Sequence, residues 1–377
     1  MRIGILGGGV AGLTLAATLA RASCEVVLYE QAAHFEDIGA GVQLSPNATS
    51  VLRELGFDLH RLEAERPTAI DVHSFKGPRL MSLPIAQSDQ APYLHIHRAD
   101  LIALLSAAAE RAGVTFKMKS QAKIGCDQAG FFMAVGAKNN RFDLCVAADG
   151  VHSAEAGALR GPAIPKGTAW RALGASVDLP SWARNAPRVI IGPKRHIVTY
   201  PLRGGEVVNI VAVENHIYDQ KDGWAHAIDG DVLRAAFADF GADATALLAP
   251  ITSARRWTLN THIGAVMTGP TGAPIIGDAA LTMLPFMAQG ASLAIEDAGR
   301  LARDIVDGAA GWAEGSATAR AARRLAVQKL ASANGRAFHR YPPFLGGVYH
   351  GLMAAMGRVV PQTLARRAAW VYDHREI

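Results

Sequence analysis

The sequence predicts an α/β fold in which a Rossmann-like, parallel-sheet domain is assembled from separated segments. It carries an interleaved, mostly antiparallel β domain and ends in helices. Three observations predict this. A glycine-rich strand-to-helix turn opens the chain, strands ending in acidic turns recur near 143–150 and 277–290, and the segments between them are rich in β-branched residues. At 377 residues and 50% hydrophobic, the chain can bury a large core as two domains or one large composite.

The first element is the strand Arg2–Ile3–Gly4–Ile5–Leu6. Gly7, Gly9 and Gly12 then satisfy G-x-G-x-x-G at the turn into an apolar helix of about residues 10–22, which begins at Val10 and Ala11. Such a turn presents unpaired backbone N–H groups at a helix N-terminus, where they and the helix dipole stabilise a pyrophosphate. A second strand, residues 25–29, delivers Glu30 where a carboxylate accepts hydrogen bonds from a ribose 2′-hydroxyl. That pattern selects FAD or NAD over NADP as the bound nucleotide and leaves the choice of reductant open. The alternative for this stretch is an ordinary glycine-rich turn in a buried βαβ unit.

The middle motif, residues 142–153, reads as a buried strand entering a polar turn at Asp149–Gly150. By itself it is a turn signal; with its companions it marks part of the crevice near the cofactor. The third motif decides between the nucleotides. A strand, Ala273–Pro274–Ile275–Ile276, delivers Gly277–Asp278, whose carboxylate suits the ribityl hydroxyls of a flavin, a chain that NAD lacks. Gln289, Gly290 and Ala291 then open a helix whose N-terminal amides suit the flavin pyrimidine, where negative charge develops on reduction. The competing reading of Asp278 is a simple helix cap. The nucleotide domain is therefore expected to bind FAD.

Residues 1–70, 98–165 and 262–300 are assigned to this FAD-binding domain and 71–97 with 166–261 to the β domain that takes substrate. Residues 301–377 are assigned to a C-terminal helical segment interrupted by Gly308, Gly311, Pro342–Pro343 and Pro361. The runs 82–97, 189–191 and 207–213 supply the β-rich content.

The N-terminus imitates a secretory signal, but glycines interrupt its apolar run at dinucleotide spacing and Arg21 breaks the pattern ahead of Cys24, so a cytoplasmic protein is expected. Without an apolar stretch of about 18 residues, no stable membrane insertion is expected. Cys24, Cys126 and Cys145 lack C-x-x-C spacing and imply buried thiols. His95 and His97 alternate on one strand face with no cluster to complete a metal site, so no metal is expected.

The net charge of +5 is uneven: residues 300–377 hold 12 Lys or Arg against 5 Asp or Glu, giving +7, so the rest sums to −2. A solvated helix face, attraction of an anionic reductant or substrate, and loose association with an acidic membrane surface are the three readings. The basic residues show no nucleic-acid module, so no nucleic-acid partner is expected.

With these motifs the chain resembles the single-component, FAD-dependent aromatic hydroxylases of the para-hydroxybenzoate hydroxylase type, especially the salicylate and 3-hydroxybenzoate hydroxylase branch. The resemblance covers nearly the whole chain. Beyond the flavin motifs it rests on Ile38–Gly39–Ala40–Gly41–Val42–Gln43–Leu44–Ser45–Pro46–Asn47, on His97–Arg98–Ala99–Asp100–Leu101, on residues 200–205 and on the ending 333–336 to 370–372. It implies that NADH or NADPH reduces the flavin in a transient visit, that oxygen then gives a flavin hydroperoxide, and that its OH passes to an electron-rich ring. The substrate so implied is a small phenol or aromatic carboxylate, and the protein a monomer or homodimer. Arg98 would lie along the FAD, Asp278 would hold the ribityl chain, Pro285 would face the reactive edge and Gly290 the pyrimidine; Gln43 joins the cofactor-binding set. For catalysis, His196 is the candidate base and Tyr200 the candidate orienting group, with Pro285 beside them. A His on the outer face of the sheet and a Tyr that merely packs are the competing readings. Phe286 and Met287 are expected to shape the pocket.

Two departures from the family pattern stand out. Leu281–Thr282 replaces His-Pro, which predicts a drier pocket wall. Ala156 replaces an Arg, for which Arg160 is the candidate substitute. In relatives that hydroxylate a pyridine ring a His occupies the position of Gln43, so a pyridine is disfavoured. Two other functions share the flavin: oxidation of a larger lipophilic substrate such as a quinone precursor or polyketide, and a non-catalytic FAD-binding redox protein.

Overall fold

The structure, a computed structural model, describes residues 1–35, 41–218, 226–308 and 312–375; Ile38, Gly39, Ala40 and Gly311 lie outside the described residues. Its first sheet is parallel, in the order Leu144–Ala147, Arg2–Leu6, Glu25–Tyr29, Thr115–Lys117. Continuous apolar runs suit strands covered on both faces, and Ile3, Ile5, Leu28 and Val146 are fully or almost fully buried. The helices Val10–Arg21, Arg98–Arg111 and Gly290–Asp307 close the main core against this sheet.

The expected strand at 273–276 is a correction. Only isolated bridges form there, Ile275 beside Ala147 and Pro274 beside Thr268. The segment still runs along the sheet edge, since Ala147 N–H donates to the Pro274 carbonyl at 2.9 Å and Ile276 N–H to the Ala147 carbonyl at 2.9 Å. Pro274 has no N–H to extend the ladder.

The second layer is an eight-stranded mixed sheet in the order His226–Asp229, Ser253–Thr261, Ile164–Ala175, Val207–Glu214, Arg195–Leu202, Arg188–Gly192, Ala69–Ser74, Arg79–Pro84. All pairings are antiparallel except that of Arg188–Gly192 with Ala69–Ser74. One face packs on the helices Gly230–Ala236 and Ala242–Leu248 through Trp170, Ile197, Ile210 and Ala212. Residues 82–97 do not form one β segment. The strand Arg79–Pro84 stops at its proline, and Leu94–His97 pairs instead with Gly41–Leu44 in a two-stranded ribbon.

A small antiparallel sheet spans residues 123–142. The C-terminal helices are Trp312–Phe338, Gly346–Val359, Pro361–Arg366 and Ala369–Tyr372, broken at Pro342–Pro343 and Pro361 as the sequence predicts. Among the described residues no helix is long and apolar enough to cross a membrane.

Candidate active site

Two helix N-termini and two acidic turns converge on one groove. The helix Val10–Arg21 starts at Gly9 with no side-chain cap and no acid in its first turn, and Gly290–Asp307 starts likewise at Gln289. Both keep free N–H donors for an anionic or polar ligand. A Cβ on Gly9 or Gly290 would meet no atom within 4 Å, whereas one on Gly12 would lie 2.0 Å from the Gly7 carbonyl oxygen. The turn is closed against its own helix and open toward the groove. Glu30 braces it, accepting from Gly8 N–H at 2.7 Å and Ala32 N–H at 2.9 Å.

The acidic turns meet across the sheet edge. Asp149 accepts from Ala154 N–H at 3.1 Å, while its Oδ1 is buried without a partner. Desolvation raises its carboxyl, against hydrogen bonds including that of Ser153. The Asp278 carboxyl is also raised, because protein surrounds it, although Arg324, Arg160 and Arg98 pull it down. Its side chain is nevertheless solvent-accessible. Deep and accessible together mean that it lines a groove rather than a surface bulge. An orphaned acceptor, an accessible deep carboxylate, two uncapped helix starts and a glycine turn open only outward fit a flavin nucleotide.

Arg160 joins the two acidic turns. Its Nη1 donates to the Asp278 and Ala279 carbonyls at 3.0 and 3.1 Å, and its Nη2 to the Val151 carbonyl. Ala156, at the position where an Arg was expected, is fully buried, so Arg160 takes the bracing role from the end of the helix Ala154–Arg160. The drier wall expected from Leu281 is not found: the side chain is fully buried behind the groove, and its carbonyl accepts from Arg324 at 3.3 Å.

Three features were missed in the sequence because their partners are distant along the chain. Asp297 accepts from Gly277 N–H at 3.0 Å and from Arg324 Nε at 2.7 Å, a buried ion pair that fixes the Asp278 turn. Beside it Arg323 binds Glu296 through two hydrogen bonds of 2.6 Å. Ser45, Asn47, Gln289 and Ser292 form a buried polar network that docks residues 45–47 on the start of the helix Gly290–Asp307. Gln43 lies at its edge and accepts from Tyr93 Oη at 2.8 Å. Val10 and Ala291 are part-buried beside the main core, and Arg98 sits near enough to Asp278 to lower it.

The exposed Pro285 leads to a second region, on the sheet face opposite the helix-packed core. Cross-strand register puts His196, Val198 and Tyr200 beside Val213, Val211 and Asn209, then Ala169 and Arg171, then Trp257 and Arg255. Ala169, Val213 and Leu259 pack with Leu284, and Phe286 stands over them, its ring 5.3 Å from that of His196. His196 is buried, which removes the reading of an outer-face His. Its Nδ1 lies 2.7 Å from His339 Nε2, and His339 Nδ1 lies 2.9 Å from Asn215 Oδ1. At the other end Tyr200 is buried 4.5 Å ring-to-ring from His95, and burial raises its phenol. Met287 packs away from this region, with Leu293 and Val327.

Burial lowers His95 to about 3 and His339 to about 4. Both stay neutral when folded, yet take up protons near pH 6.5 when unfolded. The unfolded chain therefore binds more protons below that value, and stability falls as pH drops from about 6.5 toward 4. Each site is expected to withdraw on the order of 3 kcal/mol across its full window, read as a falling melting temperature between pH 7 and pH 4.5. Replacing His95 by Phe should flatten part of that slope; an unchanged slope would contradict the assignment.

A family profile described as FAD binding domain matches residues 1–333. The chain belongs to this FAD-binding family. Among curated proteins it is 34% identical over 334 residues to 3-amino-4-hydroxybenzoate 2-monooxygenase PtnB3 of Streptomyces platensis, with 80% of this chain and 78% of that one covered. It is 30% identical to salicylate hydroxylase of Pseudomonas putida over 99% of this chain and 92% of that one. Among solved structures, a salicylate hydroxylase substrate complex superposes with a TM-score of 0.80 at 21% identity, over 100% of this chain and 96% of that one, which shows a shared fold. This member of the family is an FAD-dependent monooxygenase, with NADH or NADPH as the reductant typical of the family.

Proposed function

We propose that this monooxygenase hydroxylates a phenolic aromatic acid lying on the sheet face between His196 and Arg171, under the loop that carries Leu284 and Phe286. The observation that carries this reading is the polarity of that face: an apolar floor of Ala169, Val211 and Val213 with a neutral imidazole at one end and a guanidinium at the other. Bound FAD supplies the redox chemistry, accepting reducing equivalents from NADH or NADPH and activating oxygen for transfer to the ring. Gly7, Gly9, Val10, Ala11 and Gly12 would face its pyrophosphate and Glu30 its adenosine ribose. Asp278, Asp149 and Arg98 would hold the ribityl side, with Gln43, Pro285, Gly290 and Ala291 around the ring system.

His196 has a defined tautomer in this arrangement. Asn215 Oδ1 can only accept, so His339 Nδ1 donates to it and His339 Nε2 is left as an acceptor. His196 Nδ1–H then donates to His339 Nε2, which leaves His196 Nε2 with a bare lone pair. That lone pair takes the phenol proton. Burial lowers the imidazole well below its ordinary value, followed by the nearby His339. It is therefore neutral with its lone pair free, but a weaker base than an exposed imidazole, and the phenolate formed beside the new imidazolium offsets part of that cost. Tyr200 orients the ring from the far end of the same strand face.

Arg171 suits a carboxylate. It is part-buried and lowered to about 10 by desolvation and by the like charges of Arg255 and Arg98. An anion relieves both costs. Two strand spacings and two residues separate its Cα from that of His196 by about 12 Å, a gap that the two side chains and one benzene ring fill. The relatives' names, salicylate hydroxylase and 3-hydroxybenzoate 6-hydroxylase, support the class.

Two variants test the roles separately. His196→Asn is expected to keep the bound-flavin spectrum and the affinity for an aromatic acid, while kcat falls about 100- to 1,000-fold. Arg171→Met is expected to raise KM for aromatic acids at least tenfold but not for the matching phenols without a carboxylate. Equal losses for acids and plain phenols would remove the carboxylate role.

A further inference from the structure

The helix Gly346–Val359 is laid on the protein the opposite way from an ordinary surface helix. Its inner face is mostly small or polar, with Gly346, His350, Ala354 and Gly357 and one large apolar residue, Met353. His350 Nδ1 lies 2.9 Å from Ser74 Oγ, Met353 and Ala354 pack on Val72, Leu80, Val189 and Ile191, and Gly357 backs onto Leu80 and Met81. Its outer face is apolar, with Leu345, Val348, Leu352, Met356 and Val359 all exposed. Leu352 is 62% and Val359 79% exposed, and Phe344, just ahead of the helix, is fully so. A soluble helix normally turns such a stripe inward, and a contiguous exposed patch of this kind marks an interaction surface.

Charge identifies the occupant. No Asp or Glu occurs between Glu314 and Asp373, while nine Lys or Arg do. Arg340, Arg358, Arg366 and Arg367 are exposed on or next to this helix in sequence, and Arg340 lies over the Tyr349 ring. A second copy docked face to face would bring this acid-free basic segment against itself. An anionic bilayer would instead neutralise the arginines while taking up the apolar side chains. The helix has 14 residues, about 21 Å at 1.5 Å per residue, too short to span a bilayer but suited to lie in its interface. We propose that this enzyme docks peripherally on membranes containing anionic phospholipid through the outer face of Gly346–Val359, with Phe344 at the headgroup level and the flanking arginines on the phosphates.

The holoenzyme would be sedimented with phosphatidylcholine vesicles, with and without phosphatidylglycerol, at low and high salt. The proposal expects binding only to the phosphatidylglycerol vesicles, release at about 0.5 M salt as the charges are screened, and a bound fraction reduced about tenfold by either Leu352→Glu or Val348→Glu. Both sites are solvent-exposed, and the flavin spectrum of each variant reports that it is folded. No sedimentation at low salt would overturn the proposal, as would binding that both glutamates leave intact. Light scattering that shows a dimer split by Leu352→Glu, with no vesicle binding, would assign the face to a second copy instead.

Discussion

Gly12→Ala is expected to yield a protein unable to hold FAD, with affinity reduced more than about 100-fold. The new Cβ would sit 2.0 Å from the Gly7 carbonyl oxygen and 3.2 Å from the Gly7 carbonyl carbon, both backbone atoms. Gly7 cannot retreat. Its N–H is held by the Tyr29 carbonyl at 2.8 Å, and its own α-carbon faces the Ala148 carbonyl, which a Cβ would approach to 2.3 Å. The helix must therefore lift off the turn, carrying away the amides proposed to face the pyrophosphate. Gly9→Ala is the informative companion. Gly9 has φ −79°, which any residue adopts, and its Cβ would enter open space. The apoprotein should keep its stability to within about 0.5 kcal/mol, yet bind FAD at least tenfold more weakly, because the added methyl occupies the approach of the phosphates. Flavin titration beside thermal unfolding of the apoprotein separates the two effects. A Gly9→Ala protein with normal FAD affinity would place the pyrophosphate elsewhere.

Arg324→Met is expected to cost about 3–5 kcal/mol, because it strands the buried Asp297 carboxylate. Arg324 is 1% and Asp297 4% exposed in their side chains, at 2.7 Å. Arg324 also donates to the Leu281 carbonyl, so the variant loosens both ends of the turn that presents Asp278. A fall in melting temperature of about 4–6 °C is expected, together with partial loss of FAD on gel filtration. Adding Asp297→Asn should recover part of the stability, since the neutral amide no longer needs a cation and the Asn oxygen still accepts from Gly277 N–H. If the double variant were no more stable than the single one, the buried charge would not be the cause.

The sequence made the nucleotide half of this fold legible because its determinants are local. Gly7, Gly9 and Gly12 act within one turn, Glu30 ends the next strand, and Gly277–Asp278 carries its chemistry in two adjacent residues. The strand expected at 273–276 reduced to a bridge because a proline without an N–H sits at its centre, a feature visible in the sequence that its apolar composition outweighed. The bracing shell was not legible. Asp297 and Arg324 are on different helices, and nothing in either helix alone marks the pair, although the acidic dipeptide 296–297 and the basic dipeptide 323–324 each appear as neighbours and pair in the same order. His196 could be named from its strand, but its tautomer depends on His339, 143 residues away, and on Asn215. Arg171 was not singled out, since a lone Arg in an antiparallel strand looks the same whether it faces solvent or a cavity. Leu281 showed the converse error: a residue next to a motif was read as lining the groove when helix packing buries it behind.

The central claim is that aromatic hydroxylation is coupled to reductant at the face between His196 and Arg171. Its most direct test is to titrate salicylate, hydroxybenzoates, aminohydroxybenzoates and the corresponding plain phenols into the FAD-loaded protein while following NADH or NADPH oxidation, oxygen uptake and product. The account predicts that an aromatic acid accelerates reductant oxidation and yields one hydroxylated product per reductant consumed, and that His196→Asn suppresses the product. Bound FAD that neither reductant reduces, with any compound in the panel, would contradict it.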